Sequence, residues 1–345
     1  MKLKSACIIK SFFGYSIIVC IIILNVSCRR DKSQSDVSVK QISPEKIYKE
    51  INDSVFLSNV VSIEYVDDNI YLVDIDQHLV IRLDSDLNYI QTIGGEGQGP
   101  GELLYPLNVF NLVDGIIVQD AGNRRFNRYS KNIDDRYIFK KSFTNKLIIS
   151  DSRSALIKDG MMFLTFPQNE KLPVFYRIDL QKNDTITFGQ FYAGTSGLER
   201  NYRRICSDSN YFISVGISEP IVEVYSFSGE IINRFDLSDI PVFKETLKQH
   251  DLIYKKSPQG ATPVLINDVA ILDSTIYILI TERGRDRFIR TNKILVFEYQ
   301  NNDLLFSAIW ELGAGRFDSF CVLPDKEKLV AFNGYLSELQ IFNLE

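Results

Sequence analysis

Between Gly94 and Ser130 the chain reads GGEGQGPGELLYPLNVFNLVDGIIVQDAGNRRFNRYS, and this stretch restricts its possible folds more than any other. Glycine supplies the positive φ angles that tight turns need, and proline fixes φ at about −65° and donates nothing to a sheet ladder. The loop ending in Gly99-Pro100-Gly101-Glu102 therefore separates extended segments, and Tyr105-Pro106 and Asp114-Gly115 add two more turn signals. Short apolar runs punctuated in this way read as the strands of an all-β repeat.

The rhythm recurs from Val60 to the end of the chain. Second strands are expected to begin near Asn69, Gly115, Gly160, Asn210, Ser274 and Glu327. Those intervals of about 45 to 65 residues lie around the roughly 40–50 residue period of a propeller blade. Each unit offers up to four short strands with apolar–polar alternation, as in Asn69-Ile-Tyr-Leu-Val-Asp74. The expected fold is all-β: a six-bladed β-propeller of four-stranded antiparallel blades over residues 51–345. The sixth unit contains only SFCVLPD, KLVAFNG and ELQIFNL. A bare sheet edge is a liability, so an N-terminal strand is expected to close the ring. Val37–Ile42, within the tether of residues 29–50, is the natural candidate; a plain linker is the alternative reading.

Two insertions interrupt the rhythm. In VFKETLKQHDLIYKK, residues 242–256, Phe243, Leu247 and Tyr254 recur at helical spacing and predict a short amphipathic helix between the fourth and fifth units. ERGRDRFIRTN, residues 282–292, reads as a basic hairpin tip, either a binding loop or a solvated one.

The first 28 residues form a leader. Lys2, Lys4 and Lys10 precede an uncharged apolar run from Ser11 to Val26, and Ser27-Cys28 ends it. That run is shorter than the roughly 20 residues of a membrane span, which favours an export signal. The pattern resembles a bacterial lipoprotein signal with Cys28 as the lipidated residue, although Asn25 stands where a leucine is usual. An uncleaved anchor and ordinary cleavage are the alternatives, and each places the remaining chain outside the cytoplasm.

The residues GGEGQGPGELLYP, then Asp114-Gly115, IIVQD and GNRRF, resemble an NHL repeat. Leu103 replaces its usual aromatic residue. The loop GQGPGE after Ile93-Gly94 is similar to that of the six-bladed β-propeller lipoproteins of Gram-negative bacteria, an NHL-like group. GTSGLERNYRR and GAGRFDSF, from Gly194 and Gly313, look like degenerate copies of it. The resemblance implies a cell-envelope location, facing the periplasm or the exterior, and a propeller fold. Propellers host many functions, so it leaves the activity open.

Asp120, Asn123 and Arg125 occupy the Asp…Asn-x-Arg positions, and Asp74 the equivalent strand end one unit earlier. The resemblance implies that they brace a turn and the neighbouring blade, with ligand binding as the alternative. The loop carrying Gly97, Gly99, Pro100, Gly101 and Glu102 lacks the Gly-Lys-Ser/Thr and the following helix of a phosphate cradle, so it is read as a blade-to-blade joint. Asp74-Ile-Asp76 and Asp84-Ser-Asp86 read as turn formers, because no Asp-x-Asp-x-Asp-Gly loop is present. No catalytic residue, metal ligand or cofactor is expected; a calcium ion in the central channel is the alternative, by analogy with propeller lactonases and lyases.

The two histidines, His78 and His250, have no nucleophile motif around them. The turn after Asp76 suits a solvent-facing His78 and the inserted helix could set His250 over the channel mouth; each is expected as a satisfied or exposed histidine. Outside the leader the cysteines are Cys206 and Cys321, expected as two isolated buried thiols, with a disulfide between them in an oxidising compartment as the alternative. A net charge of −5 argues against a nucleic-acid partner. The reading is a monomeric, membrane-tethered binding scaffold for a protein, peptide or glycan. The alternative is a metal-dependent hydrolase or lyase working at the channel.

Overall fold

The structure is a computed structural model that describes residues 37–144, 153–167, 173–182, 184–192, 198–254, 262–284, 288–324 and 328–344. The leader and Cys28 lie outside these residues, as does Gly194. Six antiparallel sheets follow one another along the chain. Their inner strands are Val60–Val66, Pro106–Leu112, Ala155–Lys158, Arg203–Ser207, Ile266–Leu272 and Phe317–Leu323. Each inner strand packs beside the next, and the sixth packs beside the first, so the sheets form a closed ring.

The core is divided in the same way. Six apolar clusters each join two adjacent blades; the one closing the ring sets Ile63 and Leu72 of blade one with Val330 and Leu339 of blade six. Between blades three and four Phe163, Phe175, Phe212 and Tyr225 interlock, and Phe212 stacks on Tyr225 at 5.1 Å. Burying each such ring is worth about 1.5–3 kcal/mol. Blade stacking, not strand pairing alone, therefore holds the ring together.

The chain's other end completes blade six, but through a different segment from the one expected. Pro44–Tyr48 pairs antiparallel with Glu338–Asn343 as the missing outer strand. Ser38–Gln41 instead joins blade five as a fifth strand, parallel to Asp303–Glu311. Val37–Ile42 is thus corrected from ring closer to outer strap. The segment is extended as expected, but its partner is blade five. Pro44 opens the true closing strand, and its missing N–H is tolerated there because an outermost strand has a free edge.

The expected helix is present as Pro241–Tyr254, with Phe243 buried in the core shared by blades four and five. Blade five also carries the longest strands, Thr275–Arg283 and Ile289–Gln300, whose hairpin contains the basic insertion.

Candidate functional site

The glycine loop is held from below by the side chains the motif singled out. Asp120 is fully buried, and its carboxylate accepts from Leu104 N at 2.7 Å, Asn123 Nδ2 at 2.9 Å and Arg125 Nε at 2.8 Å. Asn123 Nδ2 also donates to Gly97 O at 2.9 Å, while Arg125 reaches Gln98 O, Gly99 O and Glu102 O. Glu102 Oε2 accepts from Gly99 N at 2.7 Å. The carbonyls turn toward Arg125, opposite to the inward N–H groups of a phosphate cradle. Gly101 has φ +80°, and a Cβ there would lie 3.0 Å from Phe139 Cβ, which explains glycine after Pro100.

Asp74 repeats the arrangement in blade one. It is fully buried and accepts from Ser58 N, Asn59 N, Gln77 N and Gln77 Nε2. Both aspartates face inward at strand ends and tie a joint to its blade.

The histidines sit differently from their expected places. His78 is buried, and its Nδ1 accepts from Tyr105 N at 3.1 Å, because the loop after Leu103 folds back over it. His250 is also buried and faces a cavity shared with blade five, away from the channel mouth, because the helix packs against the strand Thr275–Arg283.

The axial channel holds the groups that no motif announced. Arg153 precedes the inner strand of blade three, and its guanidinium bridges the ring. Nη1 lies 2.8 Å from Glu64 Oε2 on blade one, and Nε lies 3.0 Å from Asp268 Oδ1 on blade five. Nη2 donates to Ile63 O at 2.6 Å and to Phe320 O of blade six at 3.1 Å. Asn108 of blade two fixes the Arg153 backbone by accepting from its N–H at 2.8 Å. Burial pushes the Glu64 and Asp268 carboxyls up, and Arg153 opposes the rise. Burial also works against the Arg153 charge, yet Asp268 and Glu64 outweigh it and raise its pKa.

This bridge floors a cavity of about 260 Å³ lined by residues from all six inner strands. Cys206 and Cys321 both line it as buried free thiols, and burial raises both. Most of the remaining wall is apolar, including Val109, Leu156, Ile205, Ile271 and Val322. Asn111, Ile157 and Ser207 also line a groove of about 1140 Å³ between blades two and three, so the axial cavity and the groove are neighbours that share these three wall residues.

The mouth carries aspartates for a backbone reason, with Arg128, Lys141 and Lys158 beside them in the groove and Arg128 paired to Asp114 at 2.7 Å. The turns between first and second strands carry Asp67 and Asp68, Asp114, Asp159, Asp208 and Asp273. Asp67, Asp68, Asp159 and Asp273 adopt positive φ, which Asp tolerates better than most residues. Among the described residues, turn chemistry thus places carboxylates at one end of the ring on blades one to five. Sequence marked Glu64 and Asp268 only as charges within apolar strands, in VVSIEYV and INDVAIL. Their convergence on Arg153 depends on ring closure.

No protein-family model matches the chain, and no curated protein matches it. Among solved structures it is similar to a protein described as exported, from Bacteroides fragilis NCTC 9343, with 15% identity, a TM-score of 0.57 and coverage of 85% of this chain and 88% of that one. A member of the DUF4221 family from Bacteroides vulgatus ATCC 8482 matches with 12% identity and a TM-score of 0.56, over 88% of this chain and 97% of that one. At such identities the likeness concerns the fold: the chain is a six-bladed β-propeller, and one of its structural neighbours is a bacterial protein described as exported.

Proposed function

We propose that this chain is an extracytoplasmic binding propeller, tethered to the membrane through a lipid on Cys28, that captures an extended protein, peptide or glycan ligand at the aspartate-bearing mouth. The observation that carries this reading is the axial cavity and the radial groove lying side by side, with Asn111, Ile157 and Ser207 in both walls. A cavity of that size admits a side chain or single residue, and the groove admits the chain leading to it. The aspartate rim favours a segment carrying basic groups.

Binding is preferred over catalysis because the strongest titratable groups at the channel floor are engaged with one another: Arg153 with Glu64 and Asp268, and Glu64 also with Ser62 Oγ at 3.0 Å. A residue poised for acid–base work needs access to a substrate proton.

The test is array binding of the full chain, purified in detergent, against basic peptides and envelope glycans. Ile157→Arg, which places a bulky cation between cavity and groove, is expected to abolish capture while leaving the unfolding temperature within a few degrees. Capture unaffected by Ile157→Arg sinks the reading. Stoichiometric calcium or zinc lost on Glu64→Gln would replace it with the hydrolase or lyase alternative. Cys28→Ala is expected to release the protein from membranes.

A further inference from the structure

We propose that the groove between blades two and three selects an extended peptide of the pattern basic-x-apolar-x-acidic, held with its basic side chain towards the axis. The inference rests on the binding reading above and narrows its ligand to one class.

The groove crosses a whole blade. Leu112, Ile117, Arg128 and Lys141 line it, one from each strand of blade two in order from the axis outward. Neighbouring strands lie about 4.8 Å apart, so innermost and outermost strands are about 14 Å apart. An extended peptide rises about 3.3 Å per residue and turns alternate side chains to the same face. Its residues i, i+2 and i+4 therefore face the groove together, and i and i+4 are about 13 Å apart, close to the width of the blade.

The floor is apolar. Leu112, Phe143, Ile157 and Leu180 are half-buried, pack on the core between blades two and three, and also line the groove. Val113 beside them is wholly exposed. A contiguous apolar strip in a polar rim favours a ligand that covers it, here with the side chain at i+2.

Charge changes sign along the groove. At the axial end Asp159 and Asp208 stand in the turns after the first strands of blades three and four, and neither meets a cation among the described residues. Asp208 Oδ1 accepts from Asn210 N at 2.7 Å, and Asp67 Oδ2 from Asn111 Nδ2 at 3.1 Å, so both carboxylates keep their charge at this end. At the outer end Lys141 is exposed and pairs with no carboxylate among the described residues. The other two cations are engaged: Arg128 Nη2 meets both Asp114 oxygens, at 2.8 and 2.7 Å, and Lys158 Nζ lies 5.8 Å from the centre of the Phe227 ring. A peptide with a cation at i and a carboxylate at i+4 complements both ends, and such complementarity fixes register and rejects wrong partners. A neutral or acidic glycan offers no cation to Asp159 and Asp208.

The experiment is fluorescence anisotropy of the full chain in detergent with labelled, end-blocked peptides. The reference peptide is Gly-Lys-Gly-Leu-Gly-Glu-Gly; the others carry Lys for Glu, Glu for Lys, Ser for Leu, or Lys, Leu and Glu made adjacent. The reference should bind tightest. Serine for leucine should weaken it about tenfold, and each charge change or the adjacent arrangement about threefold, as expected of exposed pairs. Lys141→Glu, an exposed change on an outer strand, should leave the unfolding temperature unchanged and reverse the order of the Glu peptide and its Lys counterpart. Salt at about 1 M should erase the charge preferences and keep the leucine preference. The proposal is overturned if the charge variants bind alike, if the adjacent arrangement binds as tightly as the reference, if Lys141→Glu leaves the order unchanged, or if envelope glycans are captured and these peptides are not. In those cases capture that Ile157→Arg abolishes keeps the broader binding reading, whereas capture of no peptide and no glycan sinks both.

Discussion

Arg153 on blade three reaches across the channel to Glu64 on blade one, Nη1 to Oε2, at 2.8 Å. The same guanidinium meets Asp268 on blade five at 3.0 Å. Three blades that share no sheet are thereby joined through one side chain. Removing one partner of a buried pair leaves the other's charge uncompensated, at a cost of about 3–5 kcal/mol. Arg153→Met is therefore expected to destabilise by that amount, measured by urea unfolding. Adding Glu64→Gln and Asp268→Asn should recover part of the loss, because the triple variant buries no net charge there.

The same triad predicts a pH dependence. Burial raises the Glu64 and Asp268 carboxyls above their ordinary values of 4.5 and 3.8. A carboxyl whose pKa is higher folded than unfolded binds more protons in the native state, so its contribution to stability falls as pH rises. The window opens near those ordinary values and extends upward to the raised ones. Relative to the parent, Glu64→Gln should gain stability in thermal unfolding as pH rises above the ordinary carboxyl value of 4.5. A difference independent of pH would show that Glu64 does not titrate in this way.

Asp120 supports the loop joining blades one and two from a fully buried position, with Arg125 Nε 2.8 Å away. Asp120→Ala leaves that guanidinium and the Leu104 N–H without their acceptor. The expected loss is about 3 kcal/mol, and Asp120→Asn should lose less because an amide oxygen still accepts. Denaturant midpoints of the two variants check the order.

Ring closure can be tested by truncation. Of the described strands, a chain beginning at Ile42 loses the parallel strap Ser38–Gln41 alone, and it should keep the parent's size in chromatography with a modest fall in unfolding temperature. A chain beginning at Asp53 also loses Pro44–Tyr48, which bares the edge of Glu338–Asn343 and removes Tyr48 and Ile51 from the core joining blades six and one. Bare edges template association, so this chain should oligomerise or aggregate in size-exclusion chromatography.

Much of the molecule was legible as local pattern. Turn residues such as Asp114-Gly115, alternating strands and one well-preserved glycine loop identify the blade, and repetition identifies the ring, because each blade must bury its faces against neighbours. Phe243 and Leu247 at helical spacing likewise revealed the one long insertion that is a helix. Local pattern could not reveal partners. Val37–Ile42 and Pro44–Tyr48 are both short extended segments, and which blade each joins depends on where two sheet edges lie after closure. His78 looked solvent-facing because it follows Asp74 and Asp76 in a turn, and only the fold-back of Tyr105 buries it.

The axial bridge was the least legible feature. Glu64, Arg153 and Asp268 belong to three different units, and their only local signal is charge at the edge of or within an apolar strand. Local sequence determined the turns, the strands and the repeat, because those follow from the φ preferences of Gly, Pro and Asp and from side-chain alternation. Tertiary structure decided which charges share the channel, because inner strands remote in sequence meet only once the ring has closed.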